Sequence, residues 1–248
     1  MKAAILDSLG QTPRFGAFEE PTVESGETLV DVTAAPIKQL DRLIAAGKHY
    51  SNPRAVPVVC GTDGTGTLKD GTPVYFAVNR RPFGAMAERA PASWTVPLPN
   101  GLDPYLAATI VNPALASWLP LLWRANLRAG ETVLVLGATG ASGRLAVRAA
   151  KLFGAGRVVA AGRRQDVLMS LGADATIDLR LPATELKDCF AEQAESGVDV
   201  ILDYVWGSPT ETLLDVLSRS DLATHPSKSA SIRLVSIGVM AGPTLTLP

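Results

Sequence analysis

The sequence predicts a two-part α/β chain: a β-rich first hundred residues, followed by a parallel, doubly wound sheet of alternating strands and helices. Three observations carry this. The first hundred residues hold many of the prolines and several short alternating runs separated by Gly and Asp turns. From about Leu106 the pattern changes to helix and then to a strand–helix rhythm. At the junction of the first strand and helix of that rhythm stands a glycine-rich turn, Gly137-Ala138-Thr139-Gly140-Ala141-Ser142-Gly143.

In the first part, Thr28–Val32 and Thr72–Val78 read as strands, with turns at Gly61-Thr62-Asp63-Gly64 and Lys69-Asp70-Gly71 between and beside them. Their spacing suggests a β-barrel or sandwich. One helix is expected at about Leu40–Ala46, where Leu40, Leu43 and Ile44 share a face. In the second part, Thr132–Leu136 is almost wholly apolar, as a strand covered on both faces must be. A helix is expected from about Ser142 to Phe153. Further strands are expected at Arg157–Ala161, Ala175–Ile177, Val198–Leu202 and Ile232–Ile237, with helices between them. Right-handed crossovers then give a parallel sheet. The expected domains are 1–105 and 106–248.

The chain has 248 residues, 47% hydrophobic and 19% charged, with a net charge of −1. That balance fits a well-filled globular core and excludes a general electrostatic grip on nucleic acid, which needs clustered Lys and Arg. Cys60 and Cys189 are the only cysteines, too few for a disulfide framework and outside any metal-ligand spacing. His49 and His225 lack the neighbours of a hydrolase triad. No signal-peptide core opens the chain, and no unbroken apolar run reaches the ~20 residues of a membrane span. The expectation is a cytoplasmic protein without a membrane partner. Ser227–Ser231 reads as a polar loop.

The glycine turn points to a dinucleotide. In such a turn Gly140 is expected to take the tight bend and Gly143 to let the helix approach the strand, while Thr139, Ala141 and Ser142 lie along the phosphates. Unpaired N–H groups at the helix start, with the positive end of the helix dipole, suit a pyrophosphate. An ordinary strand-to-helix turn is the alternative. The second strand ends Ala160-Ala161-Gly162-Arg163-Arg164, with no acid before Asp166. A carboxylate there would hold the ribose diol of NAD, whereas Arg163 and Arg164 suit the extra phosphate of NADP. Solvated surface charge is the other reading of the pair.

These motifs resemble those of the zinc-independent medium-chain dehydrogenase/reductases, in particular their quinone oxidoreductase-like members. Besides the glycine turn, the resemblance is carried by Leu9-Gly10, the stretch Leu40–Tyr50, Gly61–Gly64, Gly84–Glu88, Leu171–Asp174 and Val200–Gly207. It implies a GroES-like catalytic domain beside a Rossmann NADP-binding domain, with the active site in the cleft between them and hydride passing from NADPH to a quinone, enal or enone. It also implies a homodimer. Zinc-dependent relatives carry an early Cys ligand, a His-Glu pair and a four-cysteine lobe. Here the corresponding positions read Pro36–Asp41 and Thr62-Asp63, so no zinc site is expected.

Tyr50 matches the tyrosine that anchors or protonates substrate in related enoyl reductases, a role for a phenol in a dry pocket; a tyrosine ending the helix is the alternative. Many quinone reductases carry Asn at the position of Lys38 or Gln39. Lys38 is read as a surface lysine, with pocket charge as the alternative. Asn112 and Ser117 resemble groups that hold the nicotinamide carboxamide, and equally suit a helix cap at Asn112-Pro113. Tyr204, Val205 and Gly207 after the fourth strand, and Gly238 after the fifth, stand where parallel sheets bind ligands; Tyr204 and Trp206 are otherwise core aromatics. The resemblance further implies that a carboxy-terminal return segment is missing, and that Thr244–Leu247 forms a strand that pairs across a dimer. Two functions follow as expectations: NADPH-dependent, zinc-free reduction of a quinone or α,β-unsaturated carbonyl, or NADP(H) binding without turnover, as a sensor or structural component.

Overall fold

The computed structural model describes residues 1–220 and 231–247. His225 and most of the Ser227–Ser231 loop therefore lie outside the described residues. The chain forms two compact units, Met1–Val111 and Asn112–Pro248.

The first unit is β-rich. In chain order its elements are β1 (Lys2–Leu6), β2 (Arg14–Ala17), β3 (Thr28–Ala34), α1 (Gln39–Ala45), β4 (Val58–Val59), β5 (Asp63–Thr67), β6 (Pro73–Ala77), β7 (Arg89–Ala92) and β8 (Trp94–Pro97). They make two antiparallel sheets, in the orders β2-β1-β4 and β7-β3-β5-β6-β8. Inward residues Val30, Val74, Phe76, Ala90 and Ala92 pack with Phe83 and Ala85 in the core of the larger sheet. Alternation along β3 is what turns Val30 inward and leaves Leu29 and Asp31 outside.

The division between units falls within α2 (Pro104–Leu119), which continues into a π-helical turn at Pro120–Arg124. Its start is set by Asp103, whose carboxylate accepts the Tyr105 amide at 2.9 Å, with Pro104 in the first helical position. Asn112-Pro113 thus lies inside the helix and caps nothing, contrary to the reading of that dipeptide as a helix start. Within the 21 residues Pro104–Arg124 an 18-residue window reaches a mean hydropathy of 1.4 with 28% of it buried, so among the described residues one helix is long and apolar enough for a span by length and composition. The unbroken-run criterion misses it because Thr109, Asn112 and Ser117 interrupt the apolar residues without adding charge.

The second unit continues with β9 (Thr132–Leu136), α3 (Ala141–Leu152), β10 (Arg157–Gly162), α4 (Gln165–Ser170), β11 (Ala175–Asp178), α5 (Ala183–Glu195), β12 (Val200–Asp203), α6 (Ser208–Ser220) and β13 (Arg233–Ser236). Its five strands are parallel, in the order β11-β10-β9-β12-β13. The chain reverses direction across the sheet between β9 and β12, which is the Rossmann arrangement. Both faces are covered: Val133, Val135, Val158 and Leu202 pack on α3, while Leu134, Leu136, Val159 and Ile201 pack on α5 and α6. Burial on both sides explains why β9 shows no polar alternation. Residues 244–247 form no strand; the Thr246 amide donates instead to Glu211 at 2.7 Å.

Candidate functional site

The carboxyl ends of β9, β12 and β13 lie side by side, and the glycine turn occupies the first of them. The tight bend falls on Gly137, at φ +89°, a conformation costly for any side chain. Gly140 does not make that bend; it is the extended residue before α3, at φ −77°. The helix begins at Ala141, one residue before the expected start, and no side chain caps it. Its first amides therefore keep the donors that a pyrophosphate would take. Gly143 is a close approach: a Cβ there would lie 2.7 Å from the Ala138 Cα and 2.8 Å from the Gly137 carbonyl carbon. The turn is a cradle that only small residues can form, and it fits a dinucleotide.

Around this cradle the structure assembles several of the sequence-predicted residues. Thr139 is buried and its carbonyl accepts a hydrogen bond from Arg164. Arg163 is exposed and points to no partner among the described residues. Ser117 is fully buried, its hydroxyl 2.7 Å from both the Pro113 and Ser142 carbonyls, so it ties α2 to the first turn of α3. Asn112 is half-buried inside α2. Tyr204 packs into the core with its hydroxyl donating to the Ala116 carbonyl at 2.8 Å, and burial pushes its phenol above the ordinary value. The phenol is spent on the fold; what Tyr204 brings to the cradle is its backbone and its Cβ, the latter 3.1 Å from where a Cβ on Gly137 would stand. Gly238 lies beside that backbone, its amide donating to the Asp203 carbonyl at 3.2 Å.

Sequence reasoning missed Asp203 and Arg144. Asp203 is fully buried and accepts the Val205 amide at 2.8 Å, the Trp206 amide at 2.9 Å and the Thr210 hydroxyl at 2.8 Å. One carboxylate thereby fixes the loop after β12 and caps the approach to α6, holding Trp206 at φ +57°. Arg144 donates through Nε to the Thr139 carbonyl at 3.2 Å. The signal for Asp203 was an acid at the end of an apolar strand; Arg144 had none beyond its position after the last glycine.

The first unit carries a second polar cluster. Lys38 is not a surface residue: its side chain is 8% exposed and its ammonium pairs with Asp63, with Asp41 at 3.3 Å. The Tyr75 hydroxyl donates to the other Asp63 oxygen at 2.5 Å, and burial, then that carboxylate, raises its pKa strongly. Thr62 donates to Asp41 at 3.3 Å, and the Lys38 amide donates to Asp41 at 2.9 Å. An ammonium has three N–H donors, so two carboxylates leave one uncommitted among the described residues. Tyr50, by contrast, is 96% exposed, its ring against His49. The dry surroundings expected for its phenol belong to Lys38 instead. Burial raises the thiol pKa of both Cys60 and Cys189, which disfavours their thiolates. Among the described residues no three His, Cys, Asp or Glu side chains gather as metal ligands.

No family model matches the chain. Over 214 residues it is 31% identical to a mycocerosic acid synthase-like polyketide synthase of Mycobacterium tuberculosis, an alignment covering 80% of this chain and 10% of that protein. Over 112 residues it is 39% identical to a probable NADPH-dependent quinone reductase of Emericella nidulans, covering 43% of this chain and 31% of that one. Among solved structures it is similar to the quinone oxidoreductase of Thermus thermophilus, also solved in complex with NADPH. The TM-score is 0.79 at 30% identity, over 100% of this chain and 75% of that one. The chain thus spans a tenth of the first relative and less than a third of the second.

Proposed function

The chain belongs to the medium-chain dehydrogenase/reductases, among their quinone oxidoreductase-like members, and from that premise we propose that it is an NADPH-dependent reductase of quinones or α,β-unsaturated carbonyl compounds that works without zinc. The observation that carries this reading is the cradle formed by Gly137, Gly143 and the uncapped start of α3, with the Arg164 guanidinium folded onto its rim. The amides of Ala141–Gly143 would hold the pyrophosphate, and arginine at the rim would take the additional phosphate. NADPH, when bound, supplies the hydride.

The chain's own contribution to chemistry is a proton and a positive field. A quinone or enone that accepts hydride develops negative charge on oxygen, and the group that meets it must be cationic or a hydrogen-bond donor. Lys38 supports that role: a buried ammonium, oriented by Asp63 and Asp41, with one N–H to spare. It also occupies one of the stretches where zinc-dependent relatives place a ligand, and neutralises the carboxylate at the other, which supports metal-free chemistry. Tyr50 is the second proton donor to be tested. General acid catalysis is worth on the order of 10²–10⁴ in rate. Lys38→Met is therefore expected to cost at least about 10² in turnover, and Tyr50→Phe less than about tenfold.

The test is oxidation of NADPH by the full chain across a panel of quinones and enones. Turnover with one acceptor class supports the proposal. Tight NADPH binding with no turnover on any acceptor favours the alternative, a cofactor-binding protein without catalysis. Sedimentation of the same preparation tests the homodimer.

A further inference from the structure

We propose that Asp41, with Thr62 and Arg81 beside it, is the group through which solvent returns a proton to Lys38 after each turnover. The inference rests on the reading of Lys38 as the donor to the developing oxyanion, and concerns how a buried donor is reloaded.

Hydride transfer to a quinone or enone leaves an oxyanion that takes up one proton. When Lys38 supplies it, the ammonium becomes an amine, and the next turnover needs that proton back. The Lys38 side chain is only 8% exposed, so bulk water has little direct access to it. Two carboxylates adjoin it, Asp63 on β5 and Asp41 on α1. They differ in what lies behind them.

Behind Asp63 the way is closed. Its other oxygen accepts the hydroxyl of Tyr75, which is itself buried. Burial, then that carboxylate, raises the phenol pKa, so Tyr75 keeps its proton. Behind Asp41 the way is open. Asp41 lines a cavity within the first unit, about 260 Å³ of space that is partly continuous with solvent. Thr62, Cys60 and Arg81 share its wall, and Leu6, Ile44 and Val59 keep much of the remainder apolar. One Asp41 oxygen accepts the Thr62 hydroxyl at 3.3 Å, and the other stands 3.3 Å from the Lys38 ammonium. A single carboxylate thus joins the cavity wall to the lysine.

Arg81 fits the same task. It is half-buried, and among the described residues none accepts a hydrogen bond from its guanidinium; its electrostatic partners are Asp41 and Cys60. Its N–H donors are therefore free to hold water in an otherwise apolar cavity. A held water needs two or more polar partners, and Asp41, Thr62 and Arg81 supply them. Cys60 does not compete as a base, because burial raises its thiol pKa and keeps it protonated at neutral pH. Solvent protonates the Asp41 carboxylate, and a turn about Cβ–Cγ presents the carboxyl O–H to the Lys38 amine. The O–H bond breaks as the N–H bond forms, which restores ammonium and carboxylate. One solvent proton is consumed per hydride transferred, the stoichiometry of the reduction.

The test is stopped-flow oxidation of NADPH by the full chain, with a quinone or enone that the unaltered chain reduces. The first turnover of the preformed protein–NADPH complex is compared with the steady state, for the unaltered chain and for Asp41→Asn, Thr62→Val and Arg81→Gln. Lys38 enters the first turnover already protonated. Asp41→Asn is therefore expected to keep that rate within about threefold and to lower the steady-state rate by about tenfold or more, since a positioned proton donor is worth on the order of 10²–10⁴. Thr62→Val and Arg81→Gln leave carboxylate and ammonium in place. They should show the same split at about threefold or more, and they decide the matter where Asp41→Asn does not fold. First-turnover and steady-state rates that fall together overturn the proposal, because Asp41 would then only shape the site. Absence of the split at both Thr62→Val and Arg81→Gln overturns the cavity as the route. Full activity of Lys38→Met, or no turnover by the unaltered chain with any acceptor, overturns the underlying reading, and neither outcome resembles a working reductase whose variants show no split.

Discussion

The Lys38 ammonium and the Asp63 carboxylate are joined inside the first unit, with side chains only 8% and 7% exposed. Tyr75 holds the second oxygen of the same carboxylate at 2.5 Å, and Asp41 stands 3.3 Å from the ammonium.

A buried pair is most costly when one partner is removed. Lys38→Met leaves two buried carboxylates without their cation, and Asp63→Asn leaves the ammonium with Asp41 alone. Each is expected to destabilise the fold by about 3–5 kcal/mol. The double variant should fall short of the sum by about 1–3 kcal/mol, the coupling of groups in direct contact. Urea unfolding of the four proteins measures this; strictly additive losses would show that the two groups do not interact.

Burial raises the phenol pKa of both Tyr75 and Tyr204. In the unfolded chain a tyrosine ionises at about pH 10. Below that pH both states keep the proton and stability is unaffected. Above it the unfolded state binds fewer protons than the native one, so stability falls as pH rises, by up to about 1.4 kcal/mol per unit for each phenol. Alkaline titration should therefore show phenolate absorbance from these two residues appearing together with the loss of circular dichroism. Tyr75→Phe and Tyr204→Phe should each shrink that coupled step. Phenolate from both while the circular dichroism is still native would contradict the burial.

Gly140, just before α3, and Gly143, in its first turn, should respond differently to the same change. At Gly143 an added Cβ meets backbone atoms that cannot yield, so Gly143→Ala is expected to cost about 1–3 kcal/mol and to weaken NADPH binding. At Gly140 the nearest atom to an added Cβ is 3.5 Å away and φ is negative, so Gly140→Ala should shift stability by less than about 1 kcal/mol. Thermal melts with and without NADPH compare them; an equal loss at both positions would show that close packing is not what the turn requires.

Asp203 satisfies three donors from one fully buried carboxylate. Asp203→Ala should cost about 3 kcal/mol or more, because each orphaned buried donor costs about 1–3 kcal/mol. Thr210→Val removes a single bond and should cost about 1.5–3 kcal/mol, the scale of a hydrogen bond to a charged group. Denaturant midpoints check the ranking, and a neutral Asp203→Ala would mean that water replaces the carboxylate.

The Rossmann sheet is legible in the sequence because its signal is local. Thr132–Leu136 is apolar throughout, and the strand found there has those bounds. The glycine turn is legible as a motif but not in its geometry: spacing favours Gly140 for the bend, and only the backbone shows that Gly137 makes it. Asn112-Pro113 misleads because proline suits a helix start, while the stronger Asp103-Pro104 start lies upstream. Lys38 reads as exposed because a lysine's burial is decided by its partners, and Asp63 and Tyr75 come together only through the pairing of β5 with β6. Arg144 is invisible for a related reason, since its value lies in sharing one carbonyl with a residue from another strand end.

The most direct measurement is titration of the unaltered chain with reduced dinucleotides. Saturable binding of one NADPH per chain, through the amides opening α3, is expected, with weaker binding of NADH. Absence of saturable NADPH binding by folded protein would contradict the dinucleotide assignment.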